Sequence, residues 1–203
     1  MSRIKIVFFD LGGVLVDVHM DRFIDGLSLR SDLNKQQIIH SLTDSELDFL
    51  RFQRGHCSPQ DIFSLARSQC HYSGPFEEFV HIYTNIFTLK DEVAALVEEI
   101  ADRFTVSIIS NTDVLHFDYL LQTYPVMAIF TQPTTSFRVG ALKPDAKIYW
   151  TALNALGAAP TETFFIDDKE ENVTAAKKLA MNAMLYSDAA SILKILRDDR
   201  ILN

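Results

Sequence analysis

The sequence predicts an α/β protein in which a parallel β-sheet, covered by helices on both faces, carries a small all-helical insertion after its first strand. Three observations predict it. Residues 4–9, IKIVFF, form a nearly unbroken β-branched and aromatic run, as a central strand buried on both faces requires. Residues 19–89 show helical periodicity in successive segments with little strand signal between them. From residue 90 onward short apolar strands alternate with helices, a pattern that implies right-handed crossovers and parallel pairing.

The first strand ends abruptly on Asp10, and Gly12 and Gly13 follow in IKIVFFDLGGVLVD. Ligands bind at the carboxyl ends of strands in open α/β sheets, and glycines let the backbone turn tightly against a ligand. A helix-capping Asp and a turn would give the same residues, so this stretch alone does not decide. Apolar residues at three- and four-residue intervals mark helices over 20–29, 35–52, 59–70 and 75–87. Asp44, Ser58 and Ser73 read as cap or turn residues, and Arg54-Gly55 as a stop. Further helices are expected over 91–102, 114–122, 145–156, 170–179 and 189–197. Strands are expected over 105–109, 127–130, 163–166 and 183–186, with a loop over 131–142.

A catalytic core over 1–16 and 90–203 and a helical cap over 17–89 follow from this pattern. The joints of the cap flank the sheet edge that carries Asp10, which suits a lid that excludes water and contacts substrate. A rigid accessory bundle is the other reading.

Bulk properties exclude several classes. A length of 203 residues fits one domain, or one domain with a substantial insertion. The net charge of −8 provides no basic footprint for nucleic acid. No apolar run approaches the roughly 20 residues of a spanning helix, and the run before Asp10 lacks a signal-peptide cleavage site. Cys57 and Cys70, without zinc-ligand spacing, read as free thiols in a reducing compartment. A cytoplasmic protein is expected.

The other strand ends carry chemistry as well. Residues 105–109 run into Ser110-Asn111-Thr112, and residues 163–166 run into Asp167-Asp168. Lys143 precedes Pro144 in the loop between them. Singly these read as an N-cap, a solvated first turn and a surface charge; jointly, at one sheet edge, they point to a site. The loop is neither a Walker A nor a G-x-G-x-x-G sequence, and there is no G-x-S-x-G elbow. Asp10, Asp167 and Asp168 against Lys143 leave an excess of negative charge that a divalent cation would offset. An all-oxygen ligand set selects magnesium over softer ions.

With VFFDLGGVLVD, SNT, LKPDAKIY and FIDDKEENVTAA in this order and context, the chain resembles the haloacid dehalogenase-like hydrolases, most of which are magnesium-dependent phosphatases. Within them it is most similar to sugar-phosphate phosphatases with an FDLG-type first motif and an SNT…H…YP stretch, here Ser110 to Pro125 with His116. The resemblance implies a Rossmann-like core with the cap inserted after the first motif. It implies Asp10 as nucleophile, with Asp10, Asp167, the Gly12 carbonyl and Asp168 as magnesium ligands. Ser110, Asn111 and Lys143 would bind the phosphoryl group, Ser110 and Lys143 taking part in catalysis, and Asn172 would brace the site. The expected partner is a small phosphorylated molecule, bound by a monomer or weak homodimer.

One position departs from the family pattern. The phosphatases usually carry a second Asp two residues after the nucleophile as general acid and base, and here Gly12 stands there. A positioned proton donor contributes ~10²–10⁴ in rate, so its loss keeps two other readings open: a metal-independent dehalogenase using Asp10, and a non-catalytic binding protein. Asp17 and His19, near the joint, are candidate substitutes, and the sequence places neither at the leaving oxygen.

Overall fold

The computed structural model describes residues 4–198. Five strands form one parallel sheet in the order β5-β4-β1-β6-β7: β1 is Ile6–Phe9, β4 Thr105–Ser110, β5 Thr134–Thr135, β6 Thr163–Asp167 and β7 Asn182–Leu185. The first strand thus lies at the centre, and all four of its residues are buried. Val7 and Phe9 point into one apolar cluster with Val106, Ile108, Phe164 and Ile166. Ile6 and Phe8 point into a second with Ile109, Phe165, Ile148 and Tyr149. The continuous apolar run is therefore explained by the period of two: each face of the strand has its own core.

Helices α6 (Asp91–Ala101), α7 (Val114–Thr123), α9 (Ala146–Ala155), α10 (Glu170–Lys178) and α11 (Ala189–Asp198) accompany the sheet, with the short α8 (Ser136–Val139) after β5. The expected architecture, a Rossmann-like parallel sheet with an inserted helical cap, is what the chain forms.

The insertion holds five helices: α1 (Met20–Ser28), α2 (Lys35–Asp44), α3 (Glu46–Gln53), α4 (Pro59–Gln69) and α5 (Phe76–Thr84). It enters and leaves through an antiparallel ribbon of β2 (Val16–Val18) and β3 (Phe87–Leu89), paired from Val16–Leu89 to Val18–Phe87. The Lys90 ammonium meets the Asp17 carboxylate at 3.0 Å beside the ribbon. Inside the cap, the Phe79 ring stacks on Tyr83 at 5.7 Å and meets Phe23, Phe63 and Tyr72 at 5.4–6.2 Å. These rings belong to the same apolar cluster as Val7 and Phe9 of β1.

Four local expectations are corrected. The helix expected over 35–52 is two helices, because the Ser45 hydroxyl donates to the Ser41 carbonyl at 2.8 Å and the chain turns there. The helix expected over 75–87 stops at Thr84, and its last apolar residue, Phe87, enters β3 instead. Residues Pro125–Ile129 form a 3₁₀ turn rather than a strand, since Pro125 fixes the first φ and the Met127 amide closes on the Tyr124 carbonyl at 3.0 Å. The edge strand is Thr134–Thr135, inside the expected loop and pairing with Ile109 and Ser110.

Phe79 is fully buried at the centre of the aromatic cluster. Phe79→Ala should therefore destabilise the protein by about 3–5 kcal/mol, read from the midpoint of urea unfolding.

Candidate active site

Register brings the site together. Phe9 pairs with Ile108 on one side and Ile166 on the other, so Asp10 emerges level with the ends of β4 and β6. The Asp10 amide donates to the Ile166 carbonyl at 2.9 Å, and the Leu11 amide donates to the Asp10 carboxylate at 2.7 Å. Lys143 is buried between two acids: its ammonium lies 2.8 Å from Asp10 Oδ2 and 2.6 Å from Asp167 Oδ2. Asp167 also accepts from Asn172 Nδ2 at 2.9 and 3.1 Å and from the Lys169 amide at 2.8 Å.

Asp10, Asp167 and Asp168 each present an oxygen within 4.8 Å of the others. Burial pushes the Asp10 carboxyl up to about 6, Lys143 opposing this and Asp167 adding to it. Burial and Asp167 likewise raise Asp168. The acidic excess thus holds in space as in sequence, and it forms a candidate metal-binding cluster.

The glycines divide their work. Gly13 has φ +80°, and a Cβ there would fall 2.1 Å from Asp168 Oδ2, so only glycine lets this carboxylate close on the loop. Gly12 lies outside the left-handed region, and a Cβ there would meet Val18 Cγ2 at 3.3 Å.

The structure gives the other sequence candidates distinct places. Ser110 is the buried last residue of β4. Asn111 grips the backbone of Lys143, donating to its carbonyl at 3.0 Å and accepting from its amide at 2.7 Å. Asn111 is therefore placed to position Lys143. The Asp17 carboxylate is taken up by Lys90, while His19 stands at the N-terminus of α1. Ser136 was missed, having no motif around it; its hydroxyl accepts from the Thr112 amide at 3.0 Å and donates to the Thr112 carbonyl at 2.9 Å.

His116 joins core to cap. Its Nδ1 meets Asp113 Oδ2 at 2.8 Å and its Nε2 meets the Tyr83 carbonyl at 2.9 Å. Carboxylate and carbonyl both accept, so both ring nitrogens donate and the ring is an imidazolium. Burial lowers its pKa, but Asp113 and the Tyr83 carbonyl outweigh this and hold it above its ordinary value. Burial raises Asp113, but His116 and the Tyr83 hydroxyl, donating at 2.9 Å, hold it below the ordinary range.

A strand-end carboxylate cluster with a buried lysine, on a parallel sheet with a helical cap, defines a hydrolase architecture. The chain belongs to the haloacid dehalogenase-like hydrolase family, whose model matches residues 4–180. It is 27% identical to a sesquiterpene phosphatase of Aspergillus oryzae over 97% of this chain and 96% of that protein. It is 26% identical to a drimenol cyclase of Aspergillus calidoustus over 90% of this chain and 34% of that protein. Among solved structures, it resembles a haloacid dehalogenase family enzyme of Bacteroides thetaiotaomicron in complex with magnesium and inorganic phosphate. The TM-score is 0.80 at 23% identity, covering 91% of this chain and 94% of that one.

Two outcomes are expected. Stability supplied by protonated His116 is complete below its unfolded pKa of about 6.5 and is lost as pH rises through its higher folded value. Urea unfolding of wild type should show this decline, and His116→Gln should lack it. Gly13→Ala should cost about 1–2 kcal/mol from the left-handed backbone alone, and Gly12→Ala less, by the same measurement.

Proposed function

We propose that the protein is a magnesium-dependent phosphatase that hydrolyses a small phosphorylated metabolite through an aspartyl-phosphate on Asp10. The observation that carries this reading is the packing of Asp10, Asp167 and Asp168 within 4.8 Å, with Lys143 bridging two of them. Such a site repels a phosphate ester unless a divalent cation offsets its charge. The donor set fits magnesium: three carboxylates, and the Gly12 carbonyl as a fourth oxygen ligand. Bound there, the ion would stabilise negative charge on the transferring phosphoryl group. The activity named for the Aspergillus oryzae relative supports phosphatase chemistry, and the contents of the Bacteroides structure support the ion.

In this reading an Asp10 oxygen bonds to phosphorus as the ester P–O bond breaks, and the leaving oxygen takes up a proton. Water then attacks phosphorus, the aspartyl P–O bond breaks, and inorganic phosphate leaves with the Asp10 carboxylate restored. Lys143 and Ser110 stabilise phosphoryl oxygens, and Asn111 keeps Lys143 in place. Residues 17–89 serve as the cap domain, and 1–16 with 90–203 as the catalytic domain, whose residues 1–3 and 199–203 lie outside the described residues. Gly12 favours a second reading, in which Asp10 attacks carbon as in a dehalogenase and no leaving-group acid is needed.

Asp10→Asn should lower turnover of an aryl phosphate by at least roughly 10³-fold with the circular dichroism spectrum unchanged. Chelator should abolish turnover, magnesium should restore it, and Asp167→Ala should raise the magnesium concentration needed. Full activity in chelator would favour the dehalogenase reading.

The leaving group tests Gly12. Wild type should hydrolyse aryl and anomeric phosphates much faster than simple alkyl phosphates, because poor leaving groups depend on protonation. The backbone at Gly12 accepts a side chain once Val18 shifts by a few tenths of an ångström. Gly12→Asp should therefore narrow the aryl-to-alkyl ratio. An equal ratio in wild type, with chemistry rate-limiting, would show that another residue already donates the proton.

A further inference from the structure

A cavity of about 370 Å³ lies within the cap, between α1, α2, α3 and α5, where α7 of the core closes it. Small-molecule pockets run from about 300 to 1,000 Å³, so the space suits a ligand rather than a few waters. Its floor is Phe23, Tyr83 and Ile86, all buried, together with His116, and Ile24, Leu42 and Phe49 stand on its walls. Met20 and Ile39 line it as well, yet are 48% and 47% exposed. Large apolar side chains at a rim are costly unless something covers them.

The charges decide what enters. The charged side chains on the lining are Glu46 and His116. His116 is neutralised by Asp113 and has both nitrogens occupied, and the Tyr83 hydroxyl is already given to Asp113. No cation is left to receive an anion. Sugar hydroxyls would find Thr43, Glu46 and Gln53, all on α2 and α3, to replace their water, and the other surfaces of the lining would leave them unpaired, whereas a hydrocarbon would lose nothing.

Two short stretches of chain link the lining of the cavity to the catalytic edge. Val18, which faces the Cβ position of Gly12, is separated from Met20 of the lining by His19 alone. Asp113, bonded to Tyr83 and His116 of the floor, caps α7 directly after Ser110, Asn111 and Thr112.

We infer that this cavity seats the uncharged, apolar part of the substrate, so that the phosphate ester hydrolysed is one of a hydrocarbon-rich alcohol rather than of a sugar. The inference rests on the phosphatase reading, and it is tested so that the two fail separately. A series of para-alkylphenyl phosphates, from methyl to octyl, lengthens the apolar part while leaving the phenol's acidity nearly constant. In wild type, kcat/KM should rise by roughly two- to fourfold per methylene until the cavity is full, and the octyl ester should exceed glucose 1-phosphate. Leu42→Trp, which fills the space, and Ile39→Glu, which charges the rim and leaves the fold undisturbed, should each cut the octyl-to-methyl ratio at least tenfold.

Calorimetric titration of magnesium-free wild type with 4-octylphenol supplies the readout independent of turnover. Saturable binding that Leu42→Trp and Ile39→Glu weaken supports the apolar site, even if no phosphate ester is cleaved and the phosphatase reading falls. A rate independent of chain length, or no saturable binding of 4-octylphenol to wild type, overturns the inference.

Discussion

The ammonium of Lys143 between the carboxylates of Asp10 and Asp167 is the interaction on which the site depends. Neither acid is tolerable in that position unpaired, because removing one partner of a buried ion pair typically costs about 3–5 kcal/mol. The lysine also needs both, since one carboxylate would leave part of its hydrogen-bonding capacity empty in a dry environment. The surrounding sequence can be understood as support for this arrangement. Asn111 fixes the lysine's backbone, Asn172 and the Lys169 amide donate to Asp167, and the Leu11 amide steadies Asp10. The contacts come from the segments after β1 and β4 and from the start of α10, so the geometry of the charges reports the packing of the sheet edge.

The cap is held to the core in two physically different ways. Its aromatic rings continue the apolar cluster that begins at Val7 and Phe9, a contact that is insensitive to pH and strengthened by area alone. The Tyr83, Asp113 and His116 network is the opposite kind, small in area, directional and dependent on a proton. Together they hold the cap against the core.

What was legible in the sequence were the abrupt events. An apolar strand that stops at Asp10, at Ser110 or at Asp167 leaves a sharp trace, because burial on both faces admits few polar residues before the strand ends, Ser107 being accommodated by donating to the Gln132 carbonyl at 3.3 Å. Helices with a clean apolar stripe were legible for the same reason. The two-residue β5 left no trace, since Thr134 and Thr135 show no periodicity and their strand identity comes only from pairing with Ile109 and Ser110. The ribbon β2–β3 was obscured because Ile86 and Phe87 fit the helical phase of α5 as well as a strand. The division of work between the glycines was beyond reach, for it depends on Asp168, far along the chain, closing on Gly13. Side chains that brace the backbone of a strand-end loop, as Ser136 does at Thr112, carry no signature of their own.

The central position of β1 has a consequence for how the chain acquires its structure. Ile6 finds its neighbours at Thr105 and Thr163, so the sheet's middle strand waits for partners that emerge from the ribosome after the entire insertion and most of the remaining chain. The cap's contacts, among helices close in sequence, can form long before that. Closing such long loops slows folding, and an apolar strand held without partners invites association with other chains. The early-formed helical unit stands directly beside that strand in sequence and shares its apolar cluster, which makes it a ready shield for IVFF during synthesis. The position of the insertion in the chain thus matters before the sheet closes, as a cover for the segment with the longest wait.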